Sequence, residues 1–272
     1  MQSVEELEMD LLLEGVFRRF GHDFRGYRRP VLQRKLHAAM RQLGVKTVSG
    51  LLERVMHDGF AAQIVLRELS AHPAGLLDDA AYLRALREAL VPLLRSCPAP
   101  RIWIAECLRA EDACVLSALL EEERLLDRTQ IFATVGNESF LQEASSGRFA
   151  LDRLARYAEN YREGGGKADL REYCREEDGC AVFGDRLRGT ITWAQYSLAT
   201  NASFNEFQLI VCRYALTDFG TVLRHRALQL FYDSMPLNGV LSVDPDAGVE
   251  AAPFVSRYKA IMPEQGLYRR VA

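Results

Sequence analysis

Apolar positions in the first 96 residues recur at helical spacing. In MQSVEELEMDLLLEGVFRRF, Leu7, Leu11, Leu12, Val16 and Phe20 fall on one face, with acids early and arginines late, the order a helix dipole favours. After a turn around Gly21 to Gly26, YRRPVLQRKLHAAMRQLG places Val31, Leu32, Leu36, Met40 and Leu43 at helical spacing, and Gly44 supplies a stop. TVSGLLERVMHDG and FAAQIVLRELSAHP predict two shorter helices. DDAAYLRALREALVPLLRS predicts a longer one striped by Tyr82, Leu86, Leu90 and Leu93, which Pro92 is expected to bend or shorten.

The pattern changes at CPAPRIWIAEC. A proline-rich break leads into the apolar run Ile102 to Ala105, then a helix (AEDACVLSALLEEERLL), a second strand (RTQIFATV) and another helical segment (NESFLQEASSGRF). Strand and helix alternating at these lengths open a parallel α/β sheet. Further strands are expected at TITWAQYSL and FQLIVCRYAL, a helix at TVLRHRALQLFYDSM, and closing elements at GVLSVDP and GLYRRVA. The polar stretch ENYREGGGKADLREYCREEDGCAVFGDRLRG reads as a loop or small excursion, with GGGK at 164 to 167 as a hinge.

Composition narrows the function. Among 272 residues, Lys+Arg of 34 against Asp+Glu of 37 leaves a net charge of −3, which argues against a general nucleic-acid binder and predicts no DNA partner. No apolar run is long enough for a membrane span, and the N-terminus lacks the basic start of a secretory signal, so the expectation is a cytoplasmic protein without membrane insertion. Six cysteines without a CxxC predict reduced thiols. Five scattered histidines form no HxH or HExxH, so no metal site is expected, and neither a GxSxG nor a P-loop occurs.

Several stretches resemble the chemotaxis-receptor methyltransferases, the CheR family: FRGYRRPVLQRKLHAAM, LSAHPAGLLDDAAYLRALR, RIWIAECLRAEDACVLSALL, RYAENYREGGGKADLREYC, SLATNASFNEFQLIVCRYALTDF and the ending GLYRR. The resemblance runs nearly end to end. It implies an N-terminal all-helical domain (1–80), a linker helix (81–98) and an S-adenosylmethionine-methyltransferase-like, Rossmann-like α/β domain (99–272). That domain would carry a mostly parallel sheet with helices on both faces and a small antiparallel insertion near 157–190. Members of the family methylate glutamates on receptor coiled coils or related signalling proteins.

The residues that the resemblance assigns to the cofactor are altered. The family's A-G-C-S-T-G-E-E turn, whose glycines leave room for the ligand, reads Ala105, Glu106, Cys107, Leu108, Arg109, Ala110, Glu111, Asp112. Its A-T/S-D-I-D strand end, which supplies acids for the adenosine, reads Ala133, Thr134, Val135, Gly136, Asn137. T-S-F-F-R becomes Ala74, Gly75, Leu76, Leu77, Asp78; H-N-L becomes Tyr196, Ser197, Leu198; and C-R-N-V-L-I-Y-F becomes Cys212, Arg213, Tyr214, Ala215, Leu216, Thr217, Asp218, Phe219. The departures cluster at the cofactor while the frame is kept. This predicts a methyltransferase-like fold that binds no cofactor and has no catalytic residues, with Glu106, Arg109, Asp78, Tyr214 and Asp218 converging on the former pocket. Arg109 is a candidate partner for Glu106.

The expected role is then regulatory or scaffolding, in bacterial chemosensory-type signalling. The alternative is an active S-adenosylmethionine-dependent protein-glutamate O-methyltransferase. Arg25, Arg28, Arg29, Arg34, Lys35 and Arg41 read either as a solvated face or as a docking surface for an acidic chemoreceptor-like helix, a response-regulator pathway component or a phosphorylated ligand. Arg25 and Arg29 flanking Tyr27 could clamp the phosphates of a cyclic dinucleotide.

Overall fold

The computed structural model describes residues 3–72, 74–252 and 255–272. The chain divides into two compact units, one running to His72 and including Asp218–Arg224, the other formed by residues 73–217 and His225–Ala272.

The first unit is helical: α1 (Val4–Phe20), α2 (Arg29–Leu43), α3 (Val48–His57) and α4 (Gly59–Ser70). Local chemistry sets each boundary. Ser3 and Glu6 form a capping box at the start of α1, Gly21 and Gly44 end α1 and α2 in the left-handed conformation, and Thr47 and Asp58 cap α3 and α4. The buried face of α1 is Met9, Leu12, Leu13 and Val16, whereas Leu7 and Leu11 are 52% and 54% exposed. This corrects the expected face: the helix buries its stripe against α3 about a quarter-turn from the one predicted. Tyr27 bridges the backbone of Phe219 and packs edge-on against its ring, which joins the returning segment to the unit.

The second unit begins with α5 (Ala80–Ser96), which Pro92 does not shorten. Proline near the end of a helix removes few hydrogen bonds, and buried Leu86, Leu90 and Leu94 carry α5 past it. There follow β1 (Arg101–Ile104), α6 (Ala110–Glu122), β2 (Gln130–Val135), α7 (Leu141–Ser145), β3 (Arg148–Ala150), α8 (Leu154–Glu163), β4 (Cys174–Glu177), β5 (Cys180–Phe183) and α9 (Asp185–Arg188). The remainder is β6 (Ile191–Gln195), β7 (Leu209–Cys212), α10 (Ala215–Asp218), α11 (Thr221–Asp233), β8 (Val240–Val243), β9 (Tyr258–Met262) and β10 (Leu267–Arg270).

Seven strands form one sheet in the order β6-β2-β1-β7-β8-β10-β9, parallel except for β10, which runs antiparallel to β8 and β9. The central β7 and β8 are buried throughout, as strands covered on both faces should be, and the polar Ser242 of β8 is bonded to the buried Tyr82 hydroxyl at 2.8 Å. A separate antiparallel sheet, β3-β5-β4, accounts for the polar stretch read as a loop or excursion. The helix expected over NESFLQEASSGRF stops at Ser145, because Gly147 turns at φ +68° and Arg148–Ala150 pair with β5. Trp103, fully buried in β1, meets Tyr196, Phe204 and Phe231 edge-on and donates its indole N–H to Thr134 Oγ1 at 2.9 Å. No described helix is long and apolar enough to cross a membrane.

Candidate functional site at the β1–α6 loop

At the carboxyl end of β1 the backbone is held from both sides. Ala105 N–H donates to Val211 O at 2.8 Å and Cys107 N–H to Thr134 O at 2.7 Å. Glu106 between them sits at φ +53°. A residue with a Cβ pays about 1–2 kcal/mol to adopt this conformation. Its carboxyl reaches the end of β2, where a Cβ on Gly136 would lie 3.3 Å from Oε2. Among the described residues it meets no hydrogen-bond donor and no cation, and burial pushes its pKa up to about 7.

Arg109 follows a different course. Its Nη2 lies 3.0 Å from Glu111 Oε1 and 3.3 Å from Asp78 Oδ2, and it also bonds the Tyr157 hydroxyl. Burial lowers the arginine's pKa, but Asp112, Glu111, Tyr157 and Asp78 outweigh it and hold the guanidinium above its ordinary value. Asp112 Oδ1 accepts Leu76 N–H at 2.7 Å, and Asp78 Oδ2 accepts Gly75 N–H at 2.8 Å. A side chain at Gly75 would collide with both networks, its Cβ 2.5 Å from Asp112 Oδ1 and 2.7 Å from Arg109 Nε. The turn at 74–78 is thereby clamped to the first turn of α6, where Glu111 and Asp112 also suit the helix dipole. Asp112 is raised by burial, opposed by Arg109.

The expected convergence is therefore only partial. Arg109 and Asp78 meet, together with Glu111, while Arg109 does not pair with Glu106. Ala110 is buried at the start of α6, and Val135 at the end of β2. Asn137 Oδ1 caps its own turn by accepting Ser139 N–H at 2.8 Å, and Ser197 Oγ accepts Ala199 N–H at 3.3 Å. Tyr214, at φ +73°, donates its backbone N–H to Asp244. Buried Arg213 lies 3.9 Å above the Tyr82 ring. Asp218 belongs to the first unit, where its Oδ2 is 2.7 Å from Lys35 Nζ. Beside the Arg109 network an open cleft of about 570 Å³ is lined by Ala74, Asp78, Arg109, Asp152, Arg153 and Arg156.

Of the basic residues of the first unit, one does not reach the surface. Lys35 is buried, its Nζ also bonded to the carbonyls of Leu69 at 2.8 Å and Ala71 at 2.9 Å. Arg25 pairs with Glu14 and Asp23 and stacks on Phe17, and Arg29 pairs with Asp10. The Tyr27 ring is engaged by Phe24 and Phe219. Arg28, Arg34 and Arg41 are exposed. The sequence places Asp112 in the altered turn without assigning it a role, and Arg156 and Tyr157 lie in a stretch that carries the family resemblance without marking them as part of this network.

Two family models match the chain: "CheR methyltransferase, all-alpha domain" over residues 7–70 and "CheR methyltransferase, SAM binding domain" over residues 75–246. "Putative methyltransferase Cher3" of Pseudomonas putida is 35% identical over 265 residues, covering 97% of both chains. "Chemotaxis protein methyltransferase 2" of Vibrio cholerae is 24% identical, covering 79% of this chain and 76% of its own. "Chemotaxis protein methyltransferase" of Listeria monocytogenes is 25% identical over 143 residues, 53% of this chain and 52% of its own.

Proposed function

The chain belongs to the CheR methyltransferase family, and from that premise we propose that it is a member that no longer transfers methyl groups. It acts as a regulatory or scaffold protein in chemosensory-type signalling, by binding a protein or a small ligand. The observation that carries this reading is Glu106: a carboxyl-bearing side chain occupies the left-handed slot of a turn where the family has glycine, and it extends to the end of β2.

Methyl transfer depends on holding the sulfonium donor in line with its acceptor. The residues present do not fit S-adenosylmethionine. Glu106 brings an unpaired carboxyl to the turn. Val135 and Asn137 offer no carboxylate for ribose hydroxyls, and the Asn137 oxygen already serves its own turn. Asp78 sets an anion where the family has arginine, and the guanidinium of Arg109 is spent on Asp78 and Glu111. Asp218, in place of the family's tyrosine, is tied to Lys35.

Calorimetric titration with S-adenosylmethionine and S-adenosylhomocysteine tests the reading. No heat at hundreds of micromolar is expected, and micromolar binding of either compound would overturn it. One observation favours the second reading, an active protein-glutamate O-methyltransferase: Glu111 and Asp112 keep both acids that close the family's turn. Methyl incorporation into receptor glutamates by the purified protein would establish it.

A further inference from the structure

The outer face of α1 is apolar where a surface helix is ordinarily polar. Val4, Leu7 and Leu11, at i, i+3 and i+7, are 76%, 52% and 54% exposed and form one stripe along the helix. The core makes no use of them, because Met9, Leu12, Leu13 and Val16 already bury the inner face. One turn beyond Leu11 stands Gly15, whose missing side chain lets α3 approach: a Cβ there would lie 3.1 Å from Met56 Cε and 3.2 Å from Leu52 Cδ1. Leu52 and Met56 are themselves only partly buried, so the stripe continues from α1 onto α3. Single exposed leucines are ordinary, whereas a contiguous apolar patch marks a contact surface.

The charges around this patch select its occupant. Glu8, three residues before Leu11, has only the neutral Ser49 hydroxyl of α3 as a described partner. Glu53, next to Leu52, has no described hydrogen bond or ion pair. Glu6 accepts the Ser3 backbone N–H at 2.8 Å and meets no cation. Lys46, at the approach to α3, has no described carboxylate partner and offsets one of these three, and the N-terminus of α1 offsets about half a charge more. The other acids of the two helices are matched: Asp10 by Arg29, Glu14 by Arg18 and Arg25, and Asp58 by Arg54. A surplus of negative charge is left at the patch. A second copy laid antiparallel on the stripe would bring the acidic first turns of both helices together. A parallel copy would oppose Glu14 to Glu14 and Arg18 to Arg18, the next two positions of the seam. An anionic lipid surface repels the same carboxylates.

We propose that this face of α1 and α3 docks a basic amphipathic helix of a partner protein. Its apolar side chains pack on Val4, Leu7, Leu11, Leu52 and Met56, and its flanking Lys or Arg residues reach Glu8 and Glu53. From Val4 to Leu11 the helix rises about 10 Å, so about two turns of the partner make the contact, which places it among weak, transient complexes. The surface serves an inactive protein and an active enzyme equally and does not rest on the preceding reading.

Fluorescence anisotropy of the full chain with a labelled amphipathic Leu/Lys helix tests this. The controls are a Leu/Glu helix of the same pattern and a scrambled Leu/Lys peptide of the same composition. Saturable binding of the patterned Leu/Lys helix alone is expected, weakening as sodium chloride is raised. Leu7→Gln with Leu11→Gln, two exposed positions where glutamine keeps the helix, should weaken it about tenfold or more, with circular dichroism unchanged. Glu8→Gln with Glu53→Gln should weaken it in part and flatten the salt dependence. Leu237→Gln, at an exposed leucine of the second unit, should leave it intact. Absence of binding, equal binding of the scrambled peptide, equal binding by the α1 variant, or loss in the Leu237 variant would overturn the proposal. So would two other losses on Leu7→Gln with Leu11→Gln. Loss of self-association in sedimentation would reassign the stripe to a second copy, and loss of binding to phosphatidylserine-containing vesicles would reassign it to a membrane.

Discussion

Arg109 Nη2 stands 3.3 Å from Asp78 Oδ2, and the pair reverses the charge arrangement of the family pattern. There the turn before α5 carries the cation and the loop before α6 a neutral threonine; here the loop carries the cation and the turn an anion. The two substitutions explain each other. Arg109→Ala would leave Asp78 and Glu111 only the more exposed Arg156 and Arg153 as counter-charges, at 2.6 and 3.8 Å, and would take the guanidinium away from Asp112, at a cost of up to about 3 kcal/mol. Asp78→Ala with Arg109→Ala should cost less than the sum of the single changes by about 1–3 kcal/mol. Urea unfolding of the four proteins measures the coupling, and additive effects would dissolve the pairing.

Glu106 makes stability pH-dependent in a defined direction. The folded protein holds the proton up to about pH 7, against an ordinary value of 4.5. Folding therefore takes up a proton between these values, and stability falls as pH rises through that window. Glu106→Gln removes the titration and keeps the shape. Relative to this variant, the native protein should lose stability from about pH 4.5 to 7 and then level off, with a ceiling of about 3 kcal/mol. Denaturant titrations across that range read the difference directly; a flat difference would contradict the desolvated carboxyl.

Lys35 is a buried cation of the helical unit, and all its described partners are local to that unit: Asp218 Oδ2 and the carbonyls of Leu69 and Ala71. Lys35→Met removes the cation 2.7 Å from the Asp218 carboxylate, leaving His72 Nδ1 at 3.9 Å, and should cost about 3–5 kcal/mol. The double change Lys35→Met with Asp218→Leu removes both charges and should recover much of that loss. Thermal unfolding followed by circular dichroism separates the two outcomes.

Glu122 accepts the backbone N–H groups of Lys167 and Ala168, each at 3.0 Å, so the stretch expected as a hinge at 164–167 is a pinned turn, and a sharp position dependence follows. Gly166→Ala drives a methyl group into Tyr161 and the carbonyl of that same residue, and overpacking of this kind costs about 1–3 kcal/mol. A Cβ at Gly179, which turns between β4 and β5, meets nothing within 4 Å, so Gly179→Ala carries only the strain of its φ of +71°. Limited proteolysis should find new cleavage near residue 166 in the first variant and none there in the second.

Apolar periodicity made the helices and the buried parallel strands legible, because Leu209–Cys212 or Val240–Val243 can satisfy their side chains only inside a sheet. Strands whose side chains face water carried no such mark: Cys174–Glu177 reads as polar loop and is a strand because β5 accepts it. Periodicity also misjudged α1, since Leu7 and Leu11 match the helical repeat as well as Leu12 and Val16 do, and only the position of α3 chooses between them. At the candidate site, comparison with the family pattern located the turn and the altered positions. It could not foresee that Arg109 would turn to Asp78 and Glu111 while Glu106 stayed without a partner, because both follow from side-chain paths. The burial of one basic residue has the same origin: Lys35 and Arg34 are neighbours in sequence, yet one is buried and the other exposed.

The Lys35–Asp218 pair also sets a schedule. The two residues lie 183 positions apart, and a ribosome adding about 5–20 residues per second needs roughly 10 to 40 seconds to bridge them. Throughout that interval the nascent helical unit carries a lysine whose counter-ion has not been synthesised, so this unit emerges ahead of most of the α/β unit and is completed only once residue 218 has been added. A gene fragment that stops after α4 would remain permanently in that waiting state.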